Sequence, residues 1–318
     1  MPADVLAPGK QMTPTAVVAA ATAAVAEPQS WRERLRAYHE LAKPNLTFLV
    51  ILTGVFGFYL GSDGFAGLDA LNLVAFIAGT AMTAGGACAL NMYIERAVDA
   101  RMRRTAKRPL PSGRVPAAGA LAFSVLNVVV GTVVLAVVCG LIPAGLGLLT
   151  AILYGFVYTP LKKLHGPLAV VVGAVPGAVP PVMGWAAARG TIGWEGFALF
   201  TIVFAWQFPH FVALAYMYRE DYARGGFHFL PRSNAVTSAV IFLGTLAVLG
   251  ASAGPYVLGL ASWLYLAGAI AAGVVFLRSA YRTLVRLDGK SARSVFLISI
   301  TYLPVLLGLI LIDGLLLG

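Results

Sequence analysis

The amino-acid sequence predicts an all-α integral membrane protein, a bundle of nine transmembrane helices with its N-terminus in the cytoplasm. Three observations predict it. Of the 318 residues, 59% are hydrophobic and 11% charged, where a soluble domain carries about 25% charge. Continuous apolar runs recur along the chain, each long enough for a hydrocarbon core that takes ~20 helical residues. Of the 23 Lys and Arg residues, all but Arg189 fall on one side of the alternating topology, and the positive-inside rule assigns that side to the cytoplasm. Helices are expected because a spanning segment must satisfy its backbone internally. A β-barrel would read as short alternating segments instead.

Taken in order, residues 1–30 are rich in Ala, Pro and Thr and read as a disordered tail. The membrane domain follows over 31–318. Residues 31–43 carry Arg32, Arg34, Arg36 and Lys43 among Leu35, Tyr38 and Leu41, the pattern of a short amphipathic interfacial helix. Pro44 then stands where a first-turn proline is tolerated. The expected spans are 45–62, 69–90, 116–138, 140–158, 166–188, 193–217, 234–252, 255–277 and 294–313. Short turns at 61–64, 140–143 and 253–255 join them in pairs, and the remaining loops are longer and basic. Cys88 and Cys139 lie within apolar stretches, with no CxxC pair to suggest redox or metal chemistry. The net charge of +10 reflects topology. No zinc-finger or helix-turn-helix pattern accompanies it, so no nucleic acid is expected as a partner.

Charged residues cluster where spans end. Asn91, Glu95 and Asp99 are spaced i, i+4, i+8, which aligns three oxygen-bearing side chains along one helix face. Hard oxygen donors of this kind suit Mg²⁺, which binds through one or two carboxylates plus substrate phosphates. The basic run Arg101 to Arg108 beside them could hold the same phosphates. A solvated juxtamembrane helix is the plainer alternative. It explains the row less well, because polar groups near membrane depth need partners.

A second exit, 206–231, combines Trp206, His210, Arg219 and Asp221 with a Gly-rich basic loop. Two acidic exits facing one cavity could hold metal and diphosphate between them. Tyr158 and Lys162 form a third cluster, able to shield a cation through a π face and to neutralise a phosphate. The small residues and prolines of 173–185 mark either close packing with a bend or a slot for a long or planar substrate. His210 reads as a contact to a substrate ring, a base or a satisfied buried imidazole.

Together these motifs resemble the UbiA superfamily of intramembrane prenyltransferases, and within it the haem-modifying branch. The resemblance covers about residues 40–313. It is carried by ALNMYIERAVDARMRRTAKRPLPSG at 89–113, YTPLKK at 158–163, GAVPPVMGW at 177–185, WQFPHFVALAYMYREDYARGGFHFLP at 206–231 and SARSVFLISITYLP at 291–304. The resemblance implies transfer of the farnesyl group of farnesyl diphosphate to a vinyl group of haem B, with addition of water, giving haem O and diphosphate. It implies Mg²⁺ as cofactor, with Asn91, Glu95, Asp99 and Asp221 as ligands. Those four and Tyr158 would be catalytic. Arg104, Lys107, Arg108, Lys162 and Arg219 would hold the diphosphate, and His210 and Trp206 the haem. The implied setting is a bacterial inner membrane, with the active site on the cytoplasmic side. Membrane lipid would surround the chain, and haem A synthase and terminal-oxidase assembly would lie downstream. Ala97 and Met217 stand where the superfamily commonly has acids, which leaves the number of metal ions open.

Two other functions fit parts of the pattern. One is a related prenyltransferase acting on an aromatic quinone precursor. The other is a transporter of an anionic lipid or metabolite, which would carry polar residues through to the outer face. The outer halves of these spans are nearly free of charge, which favours a one-sided enzyme.

Overall fold

A computed structural model of the protein describes residues 30–62, 64, 67–164, 166–231 and 233–317. The tail expected over 1–30 lies outside these residues except for Ser30, whose amide and hydroxyl both donate to Glu33 and so start the first helix. The helical bundle belongs to one compact unit, Ala37–Gly318.

The elements are α1 (Trp31–Leu41), α2 (Pro44–Gly61), α3 (Ala70–Asp99), α4 (Ala117–Val134), α5 (Leu141–Ile152), α6 (Thr159–Leu164), α7 (Gly166–Ala178), α8 (Pro180–Arg189), α9 (Trp194–Met217), α10 (Arg219–Gly225), α11 (Asn234–Ser252), α12 (Gly254–Val257), α13 (Trp263–Val285) and α14 (Gly289–Leu317). A π-helical turn extends α4 over Leu135–Cys139, and another joins α5 to α6 over Leu153–Tyr158. Among the described residues, nine helical segments are long and apolar enough to cross a membrane. The protein is a multi-pass membrane protein, and its sides present unpartnered Leu71, Val125, Val133, Leu243 and Val275.

Segment ends differ from expectation where local chemistry overrides hydropathy. The second span runs through α3 to Asp99, so the acid row is part of the transmembrane helix itself. The eighth span begins at Trp263 and ends at Val285, instead of covering 255–277. Pro255 opens the one-turn helix α12, Gly259 at φ +70° carries the chain out of it, and Ser262 caps α13 by accepting from the Leu264 amide. The ninth starts at Gly289, where Asp288 accepts from the Lys290 and Ser291 amides.

Two packed groups flank a central gap. In one, α3 packs on α4 and α2 packs on α8, with Phe58, Phe76, Leu135 and Met183 in its core. In the other, α9 packs against α11 and α14, and α13 closes the group over Ile241, Val248, Tyr265 and Phe276. α7 contacts α9 and the π turn before α6. Glycine sets the tightest approach: a Cβ on Gly184 would lie 1.8 Å from the Gly54 carbonyl oxygen, so α2 and α8 meet backbone to backbone. The two parts of 173–185 differ. The α8 part packs, while Gly173, Ala174, Pro176 and Gly177 on α7 line a cavity.

Candidate active site

Asn91, Glu95 and Asp99 lie on one face of α3 and are 2%, 4% and 0% exposed. Each is held by a side-chain donor. Lys43 Nζ donates to Asn91 Oδ1 at 2.7 Å. Lys162 forms an ion pair with Glu95. Arg108 Nη1 donates to both Asp99 oxygens, at 2.9 and 2.8 Å. Asn91 Nδ2 in turn donates to Thr159 Oγ1 at 3.0 Å, so the start of α6 is joined to α3. Buried charges persist only when paired. This row is paired throughout, by side chains long enough to move.

These residues line a polar chamber of about 120 Å³ together with Arg104, Tyr154, Tyr158 and Tyr222. Next to it lies an apolar cavity of about 440 Å³, within the range of small-molecule sites. Leu46, Val50, Cys88, Gly173, Trp206 and His210 are among its walls. Arg104, Tyr154, Tyr158 and Phe211 line both spaces. The two tyrosine rings stack at 5.6 Å. Lys162 lies over the Tyr158 ring at 4.7 Å and Lys43 over the Tyr154 ring at 5.7 Å. Gly173 makes this arrangement possible, since a Cβ there would come within 2.5 Å of the Tyr158 ring.

Lys43 is a site residue that span-by-span reading assigns to the interfacial helix. Its backbone is left-handed (φ 47°, ψ 67°), which costs a non-glycine residue of order 1–3 kcal/mol and is commonly kept where function requires it. That turn sends the side chain into the chamber, where it also donates to Tyr154 OH at 3.3 Å. Burial draws its ammonium down to about 8, and nearby Glu95 partly offsets this. Tyr222, on α10, is pushed up by burial while the Arg104 guanidinium opposes the shift.

Other expected residues lie elsewhere. Asp221 does not line the chamber. Its carboxylate accepts from the backbone amides of Arg103 at 2.8 Å and Arg104 at 3.1 Å, with Arg224 Nη1 at 3.4 Å. It thus fastens the loop after α3 to α10, because two convergent N–H donors already fill its oxygens. In this structure the second acidic exit therefore does not line the chamber that Glu95 and Asp99 share. Lys107 is exposed and outside the chamber, and its carbonyl accepts from Arg114. Arg219 donates to the Tyr216 carbonyl and lies over the Tyr216 ring, also outside. Trp206 lines the apolar cavity, but its Nε1 is already committed to the Ser299 carbonyl.

The donor set fits a hard divalent cation. No group of three His, Cys, Asp or Glu side chains converges among the described residues. Two carboxylates and an amide oxygen do line one small chamber, and that set leaves coordination positions for a phosphate.

The description UbiA prenyltransferase family matches residues 50–303. The chain is 41% identical to protoheme IX farnesyltransferase of Solibacter usitatus (strain Ellin6076) over 88% of this chain and 99% of that protein. It is 42% identical to protoheme IX farnesyltransferase of Anaeromyxobacter sp. (strain Fw109-5), over 84% and 89%. Its fold is similar to a structure reported for digeranylgeranylglyceryl phosphate synthase, with TM-score 0.75 at 17% identity over 89% of this chain and 99% of that one. It is also similar to a UbiA homolog from Archaeoglobus fulgidus bound to GPP and Mg²⁺, with TM-score 0.56 at 16% identity over 87% and 99%. With a polar chamber opening on an apolar one, and with these relatives along nearly its full length, the chain belongs to the UbiA prenyltransferase family.

Proposed function

We propose that this protein transfers the farnesyl group of farnesyl diphosphate to a vinyl group of haem B, with addition of water, giving haem O. The observation that carries this reading is the junction of the two chambers at Tyr154 and Tyr158. A prenyl diphosphate has a charged head and an apolar tail, and the bond to be broken lies where they meet. The junction offers cations on one side, apolar walls on the other and π faces between.

The diphosphate occupies the polar chamber, where Lys162 and Arg108 exchange their carboxylate partners for phosphate and Lys43 and Arg104 add their charge. Preorganised positive charge of this kind stabilises a leaving group by several kcal/mol in a site shielded from water. Asn91, Glu95 and Asp99 would hold Mg²⁺, which when bound supplies Lewis-acid neutralisation of the departing diphosphate. The Tyr154 and Tyr158 faces shield the allylic cation as the carbon–oxygen bond breaks. The apolar walls exclude water until the vinyl carbon attacks, after which water adds to the new cation and loses a proton. The active-site end faces the cytoplasm of a bacterial inner membrane, in agreement with its Lys and Arg. Haem A synthase and oxidase assembly would receive the product.

Mass spectrometry of haems from cells with and without this chain tests the reading. A farnesylated haem appearing only with the chain supports it. A prenylated aromatic appearing instead would move the reading to a quinone precursor.

A further inference from the structure

Away from the polar chamber, the apolar cavity wall holds a second built arrangement. His210 lies one turn after Trp206 on α9, and its ring stacks on Trp206 at 4.5 Å and on Phe296 at 4.9 Å. Its Nδ1 lies 2.8 Å from Ser299 Oγ. The Ser299 hydroxyl is also 2.7 Å from the Phe296 carbonyl oxygen. A hydroxyl has one proton, and a carbonyl can only accept, so that proton points at Phe296. Ser299 Oγ is therefore the acceptor toward His210, and Nδ1 carries the ring hydrogen. Nε2 is left with its lone pair. Among the described residues, no Asp or Glu lines this cavity to balance a second proton on the ring. Both faces and the Nδ1 edge being covered, the part of the ring that lines the cavity is the edge bearing Nε2. The Trp206 Nε1 donation to the Ser299 carbonyl at 2.7 Å fastens α9 to α14 at the same point.

We propose that His210 Nε2 is the axial ligand of the metal at the centre of the tetrapyrrole substrate, and that Ser299 is a positioning residue that fixes the required tautomer. The proposal rests on the farnesyl-to-haem reading above. Neutral imidazole is the commonest protein metal ligand, and a proximal histidine holds haem iron in several protein classes. Metal-binding imidazoles donate their other N–H to an oxygen, which sets the tautomer and raises the ligand's basicity. Holding the substrate by its central atom leaves its vinyl edge free to react.

The test uses the full chain in lipid nanodiscs, titrated with iron protoporphyrin IX and with metal-free protoporphyrin IX. The wild type should bind the iron form more tightly and show an iron–imidazole stretch by resonance Raman. H210A should bind the two forms equally, and added imidazole should restore the signature. S299A should lose about 10–100-fold in affinity for the iron form, shift the stretch, and leave the metal-free affinity unchanged. Retained binding of farnesyl thiodiphosphate confirms that each variant is folded. If the wild type makes farnesylated haem but neither variant changes the metal preference or the stretch, ligation is overturned and the transferase reading stands. If the wild type makes no farnesylated haem, the reading and this proposal both fall.

Discussion

The chain buries carboxylates at both ends of its bundle and satisfies them in opposite ways. At the end away from the chamber, Asp313 on α14 accepts from the Ser262 amide at 2.6 Å, the Ser262 hydroxyl and the Tyr265 amide at 3.0 Å, capping α13. Asp69, exposed at the same end, likewise caps α3 through the Leu71 and Asn72 amides. At the chamber end, Glu95 and Asp99 face Lys162 and Arg108. Backbone amides cannot leave, whereas lysine and arginine heads swing on flexible stems. A backbone-bound acid is thus part of the scaffold, and an acid bound by movable cations can pass those cations to a ligand. Asp221 refines the rule, because it lies at the working end yet is bound by backbone.

The sharpest way to break this comparison is to remove an acid held by a movable cation. Asp99→Ala should lower farnesylated-haem formation by at least about 10²–10³-fold, the scale for losing one preorganised electrostatic group. Membrane insertion should persist. Product analysis by mass spectrometry checks it, and near-normal output would sink the assignment of the row. Asp221→Asn should act through loop placement: about a tenfold higher KM for farnesyl diphosphate, on the order of one lost charge-assisted contact. The Mg²⁺ concentration for half-maximal rate should stay unchanged. A shift in that concentration would return Asp221 to the metal.

The acid row was legible because a helix has a fixed period, so Asn91, Glu95 and Asp99 share a face whatever surrounds them. The nine spans were legible from hydropathy for the same kind of reason, and their ends only where a cap is encoded nearby. The target of Asp221 depends on the path of the loop after α3, which follows no repeat. Lys43 enters the site through one left-handed residue, and no pattern of neighbours announces that. Ser299 stood within a motif already singled out and Tyr154 one turn before another, but only the folded neighbours, His210 in one case and Tyr158 in the other, give them roles.

A milder prediction concerns the scaffold. Asp313→Asn should reduce thermal stability by about 1–2 kcal/mol, the scale of a lost helix cap, with activity per folded molecule retained. A melting curve in detergent and a rate measured well below the transition separate the two. A matched loss of rate with no loss of stability would show that the far end is coupled to the chamber.

The smallest effects should come from cations outside the chamber. Arg219 spends its guanidinium on Tyr216, and Lys107 is exposed. Neither can reach the diphosphate without leaving its present place, and exposed charge interactions contribute about 0–1 kcal/mol. Arg219→Ala and Lys107→Ala should therefore change kcat/KM for farnesyl diphosphate by less than about fivefold, the rate equivalent of that energy. Arg108→Ala, which strips Asp99 of its partner, should far exceed both. Steady-state kinetics on the three variants ranks them directly. If Arg219→Ala fell to the level of Arg108→Ala, the chamber would have to close further around its substrate, drawing α10 inward.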